Sequence, residues 1–189
     1  MRYGAENDIV YSPSDLIRFM ESPFASWMER LHLEDQERAI PDKPSDELTL
    51  IANTGNQREK AYLKQLKESG RDVCEILRNR QAHDLTLETI SSRREIIFQG
   101  DLKADQFAGC SDFLVLGADG LYEVWDTKLA RKVKPYFLIQ LCCYAEMLEI
   151  IQGRRPEYVC VVLGDNATRS TFRDVIGVQS LTHVLHRPT

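Results

Sequence analysis

No apolar run in this chain is long enough to cross a bilayer, residues 159–163 being typical of the longest. The opening MRYGAENDIV has none of the apolar core of a signal peptide. A soluble, cytoplasmic protein without a membrane partner is expected. Histidine is scarce and scattered: His32, His83, His183 and His186, the last two at i,i+3 spacing with no third ligand nearby. Cys74, Cys110, Cys142, Cys143 and Cys160 form an odd set without a CxxC pair, which argues against both a disulfide framework and a zinc site. Reduced, mostly buried thiols are the expectation. An excess of positive charge is missing too: 24 Lys and Arg against 29 Asp and Glu leave a net charge of -5, which excludes bulk attraction as the means of binding nucleic acid. No internal repeat or low-complexity tract is visible.

What is present suits one sizeable core. With 189 residues and 43% hydrophobic content, the chain reads as a single domain, 1–189, with an N-terminal helical segment over 1–45 and a main body over 46–189. Ser12-Pro13-Ser14-Asp15 is a helix start: Ser12 caps, Pro13 suits the first helical position, and Asp15 completes a capping box. Leu16, Ile17, Phe19 and Met20 form the apolar face of that helix. Pro23 ends or bends it, and residues 24–33 make a second short helix carrying Trp27 and Leu31. Residues 34–45 read as a loop. Over 46–69, Leu48, Ile51, Ala52, Gly55, Glu59, Tyr62, Leu63 and Leu66 recur at three- and four-residue intervals, and Gly70 closes the helix. Glu59 falls on the apolar stripe, where a carboxylate either reaches water from the edge or needs a partner.

Residues 72–76 suggest a short strand and 80–91 a helix, after which the pattern turns extended. Residues 96–98, 102–107, 110–116 and 121–128 read as consecutive strands, with Ala118-Asp119-Gly120 as a tight turn. Residues 134–151 return to helical periodicity, ended by Gly153, and strands follow at 158–163 and 171–175. This order predicts an α/β fold with a central mixed sheet flanked by helices.

The chemistry gathers on the hairpin. In LYEVWDTK, strand alternation puts Asp126 and Lys128 on one face, an arrangement that an ordinary ion pair would also explain. The preceding strand brings Asp112 into the apolar run FAGCSDFLVLG, and pairing through the Asp119-Gly120 turn sets Asp112 near Asp126. Two carboxylates side by side repel unless a proton or cation lies between them, and hard cations such as Mg2+ prefer oxygen ligands. On the next helix Gln140 and Tyr144 lie four residues apart, on the stripe of Phe137, Met147 and Ile151, where a purely structural reading makes Gln140 a boundary residue and Tyr144 core. Lys128, Arg131, Lys132 and Lys134 put four cations into seven residues, either a solvated loop or a local contact for nucleic acid.

The order Glu59, Gly109-x-x-Asp112, Asp126-x-Lys128 and Gln140-x-x-x-Tyr144 resembles the RecB-like branch of the PD-(D/E)XK nucleases, with SPSDLIRFMESPF similar to their N-terminal helix and turn. The resemblance covers residues 12–163 and implies a restriction-endonuclease-like core. It implies a deoxyribonuclease dependent on Mg2+ or Mn2+, working in DNA repair, recombination or defence. DNA, single-stranded or with free ends, is the implied partner, and a helicase domain or subunit the implied companion. Asp112 and Asp126 would be metal ligands with the Thr127 carbonyl, Glu59 would complete the metal site, and Lys128 would orient water and stabilise phosphate charge. Gln140 and Tyr144 would brace DNA and the active-site groups, and Arg131, Lys132 and Lys134 would contact phosphates. Several relatives hold an iron-sulfur cluster whose first cysteine precedes the proline of the N-terminal turn. Here Ser22 precedes Pro23 and no cysteine follows Cys160, so no such cluster is expected, and Cys142 and Cys143 are read as packing residues. The alternative is a catalytically inactive module of the same fold that binds nucleic acid or a partner protein. RNA cleavage would use the same chemistry.

Overall fold

A computed structural model describes residues 1–43 and 45–163, and the backbone of 166–171. A two-stranded antiparallel ribbon, β1 (Arg2–Tyr3) and β2 (Ile9–Val10), opens the chain and carries no legible signal in the sequence. The expected capping box forms at α1 (Pro13–Glu21): the Ser12 side chain accepts the Asp15 N–H, and the Asp15 carboxylate accepts the Ser12 N–H at 2.7 Å. Ser22 then caps α2 (Pro23–Glu34), so Pro23, which cannot continue α1, opens the next helix. α3 (Asp46–Glu68) starts at the Ser45 cap, and β3 (Val73–Glu75), α4 (Ala82–Ser91), β4 (Ile96–Ala104), β5 (Phe107–Leu116) and β6 (Tyr122–Lys128) follow. α5 (Pro135–Gln152) ends at Gly153, whose φ of 76° is the left-handed cap that glycine adopts without cost. β7 (Tyr158–Leu163) and β8 (Asn166–Thr171) complete the described residues.

The fold is α/β. Six strands form one mixed sheet in the order β3-β4-β5-β6-β7-β8, with β3/β4 and β6/β7 parallel and the other neighbours antiparallel. Helices cover both faces. Ile97, Leu114, Tyr122, Val124, Val159 and Val161 pack beneath α5, with α4 and Leu16 of α1 on the same side. Ile96, Phe98, Phe113 and Val115 pack against Leu63 and Leu66 of α3 on the other. α5 covers the centre of the sheet, which is why its middle residues, Cys142 and Cys143 among them, are buried in a consecutive run from Leu141 to Ala145.

Two expectations need correction, and a third falls largely outside the described residues. The strands expected at 96–98 and 102–107 are one strand, β4, because Gln99-Gly100-Asp101 stays in the ladder; the break falls at Asp105-Gln106, a two-residue turn with Asp105 at φ 49°. The apolar faces of the first three helices are only partly buried: Phe19, Met20, Trp27, Leu48 and Ile51 are exposed, and the register that produced the stripe is satisfied against the sheet only from Tyr62 onward. A strand forms at Asn166–Thr171, and the strand expected over 171–175 lies, beyond Thr171, outside the described residues. Among the described residues no helix is long and apolar enough to cross a membrane.

Candidate active site

The β5–β6 ladder pairs Leu116 with Tyr122 and runs to Phe113 with Trp125. One residue further along each strand stand Asp112 and Asp126, side by side as the hairpin requires. Asp126 is only 4% exposed. The Lys128 ammonium lies 2.7 Å from its Oδ2, and the second carboxylate, Asp112, stands beside them. A carboxylate buried beside another is costly to ionise. Accordingly, burial first and the neighbouring Asp112 second raise the proton affinity of Asp126 well above the usual carboxylate range, against the pull of Lys128. Asp112 is held differently: its Oδ2 accepts both the Thr127 N–H and the Thr127 hydroxyl at 2.9 Å. Thr127 therefore fixes the direction of Asp112 through its N–H and hydroxyl.

Lys128 is aimed by the following helix. Its ammonium donates to Gln140 Oε1 at 3.2 Å and sits 5.4 Å from the centroid of the Phe137 ring, so α5 sets where the charge lies. Tyr144, one turn beyond Gln140, has a different task. Its hydroxyl donates to the Cys110 carbonyl at 2.8 Å, and the ring is buried, with burial pushing the phenol far above its ordinary titration range. The phenol thus braces the strand carrying Asp112. Gly109 makes this possible, since a Cβ there would stand 2.8 Å from both Pro13 Cδ and Tyr144 Oη. The N-terminal segment reaches the same place through Tyr11, which exchanges backbone hydrogen bonds of 2.8 Å with Gln106 and Ala108.

Glu59 approaches from α3, on the other side of the sheet from α5. It is half-buried, and its Oε1 accepts the Gln99 side-chain amide at 3.0 Å. Burial, then Asp112, raise its proton affinity, while Gln99 and Arg78 oppose that rise. The carboxylates of Glu59, Asp112 and Asp126 therefore feel one another. Gln99 is not singled out by the sequence; its one signal is a polar residue beside Gly100 in an apolar run. Arg78, on the loop after β3, acts electrostatically on both Glu59 and Cys110 and is a further cation the charge pattern does not isolate. Arg131, Lys132 and Lys134 lie exposed on the β6–α5 loop, with the Lys134 ammonium 5.5 Å from the centroid of the Tyr136 ring.

These residues suit a hard divalent cation. Among the described residues no three Asp, Glu, His or Cys side chains are grouped as a ready-made cage. Mg2+, however, is commonly held by one or two carboxylates, with waters and substrate phosphate completing its shell. Asp112 and Asp126 supply those carboxylates, and the mutual repulsion that raises the proton affinity of Asp126 is what a cation between them offsets. No protein-family model matches the chain, and no curated protein matches it.

Proposed function

We propose that the chain is a nuclease dependent on Mg2+ or Mn2+, with a restriction-endonuclease-like core of the RecB-like PD-(D/E)XK branch, hydrolysing DNA phosphodiester bonds with water as nucleophile. The observation that carries this reading is the buried Asp126 beside Asp112, two carboxylates that share the one ammonium of Lys128. One lysine leaves two neighbouring carboxylates with excess negative charge, which a divalent cation offsets. When bound, the divalent cation supplies Lewis-acid chemistry, offsetting phosphate charge and activating water.

The chain's own groups do the rest. Asp112 and Asp126 hold the cation, with Glu59 reaching in from α3 and the Thr127 carbonyl a further oxygen. Thr127 keeps Asp112 turned toward the site by its two hydrogen bonds. Lys128, steadied by Gln140, presents a positive charge that orients water and stabilises the phosphate as its charge grows. Tyr144 holds the strand that carries Asp112. Arg131, Lys132 and Lys134 give the acidic protein a local contact for phosphates. DNA repair, recombination or defence, beside a helicase domain or subunit, is the setting this chemistry suits.

The test is cleavage of end-labelled single- and double-stranded DNA, and of RNA, with Mg2+ or Mn2+. Asp126→Ala and Lys128→Ala are expected to lose activity. Cleavage that survives both substitutions overturns the assignment, and Mg2+-independent binding of nucleic acid without cleavage by the wild type favours the inactive module.

A further inference from the structure

β4 contains a backbone conformation that strands avoid. Gln99 has φ 56°, in the left-handed region where residues other than glycine are uncommon, and it sits in the middle of the strand. Its neighbours keep register: Phe98 pairs with Phe113 and Gly100 with Ser111, so Gln99 stands opposite Asp112. What changes is the face. Before Gln99, Ile97 packs on the α5 side and Ile96 and Phe98 on the α3 side; after it, Leu102 packs on the α5 side, although regular alternation from Ile97 would turn it the other way. In a regular strand Gln99 would share the α5 side with Ile97. Instead its amide meets Glu59 of α3 at 3.0 Å.

The strained stretch is held from outside. The Asp101 N–H donates to Thr86 Oγ1 at 3.0 Å, its carbonyl accepts from His83 Nδ1 at 2.9 Å, and the Gly100 carbonyl accepts from the Ser111 hydroxyl at 3.2 Å. Strain that the surroundings fix so firmly persists where it serves a site. We infer that Gln99 is a positioning residue: the reversal of β4 exists to turn its amide onto Glu59, so that this carboxylate is held beside Asp112 and contributes to binding a divalent cation. The inference rests on the metal-dependent reading above.

The test uses Gln99→Gly and Gln99→Asn. Glycine adopts the left-handed conformation without strain and asparagine tolerates it, while neither side chain reaches Glu59 as glutamine does. Mn2+ binding by calorimetry and thermal denaturation without metal are measured on each, beside wild type and Asp112→Asn. The expected result is a melting temperature equal to or above that of the wild type in at least one variant, together with a Mn2+ dissociation constant raised about 10-fold, the loss typical of an outer partner of a metal ligand. An unchanged dissociation constant in both variants, with binding abolished in Asp112→Asn, overturns the role of Gln99 and leaves the metal site standing. Loss of fold in both variants assigns Gln99 to packing and likewise overturns it. Absence of Mn2+ binding by the wild type overturns both this inference and the reading beneath it.

Discussion

Replacing Asp126 with Asn is expected to stabilise the metal-free protein while destroying its response to Mg2+. Asp126 is almost wholly buried, and its proton affinity rises from the ordinary 3.8 to about 7. At about 1.4 kcal/mol for each tenfold change in affinity, ionising it inside the fold costs about 4 kcal/mol. Relaxation and water entry reduce such penalties, so the expected gain is about 2–4 kcal/mol. The sign follows from linkage. Below the unfolded value both states carry the proton and the wild type has its full stability; as pH rises from about 4 to about 7 the unfolded chain releases the proton first, and stability falls to a lower plateau. Asparagine removes that slope. Urea denaturation in chelator at about pH 5 and about pH 8 should show the wild type losing stability between the two and the variant losing less. Excess Mg2+ at the higher pH should restore the wild type and leave the variant unmoved. A variant less stable than the wild type at about pH 8 without metal would refute the reasoning, because the attraction of Lys128 would then outweigh burial.

Gly109→Ala should destabilise by about 1–3 kcal/mol, since its methyl would meet Pro13 and Tyr144 at 2.8 Å; chemical denaturation checks this. Tyr144→Phe leaves the Cys110 carbonyl without its partner and should cost about 1–3 kcal/mol of stability, while Mn2+ affinity by calorimetry falls less than in Asp112→Asn. Joint substitution of Arg131, Lys132 and Lys134 by alanine should weaken DNA binding, measured in Ca2+ to prevent cleavage, and flatten its salt dependence by up to about 0.9 for each phosphate that is no longer neutralised. An unchanged slope would make the loop a solvated one.

Much of the fold is legible because local chemistry and tertiary structure agree. Ser12 and Pro13, Gly70 and Gly153 mark helix ends through side-chain caps or left-handed backbone, effects that act within a few residues and need no partner. The Asp126/Lys128 alternation and the Asp119-Gly120 turn place those two groups and Asp112 together for the same reason: register follows from the turn. β4 reads as two strands because Gln99-Gly100-Asp101 has the composition of a loop, and nothing local indicates that His83, Thr86 and Ser111 hold it in the sheet. The exposed residues of α1, α2 and α3 mislead in the opposite direction, since periodicity reveals an apolar face but not whether anything covers it.

The sequence by itself determined the acid pair, the lysine two residues on, and the helix that follows them, because strand and helix periods fix which side chains share a face. Only the tertiary structure decided what each group is committed to. Burial makes Asp126 costly, Thr127 turns Asp112, Gln140 steadies Lys128, and Tyr144 serves the strand rather than the surface. It also decided that Gln99 meets Glu59, a pairing of residues forty apart that depends on α3 crossing the sheet and on one reversed residue in β4. Such pairings depend on the closeness of chain segments remote in sequence, which no local pattern encodes.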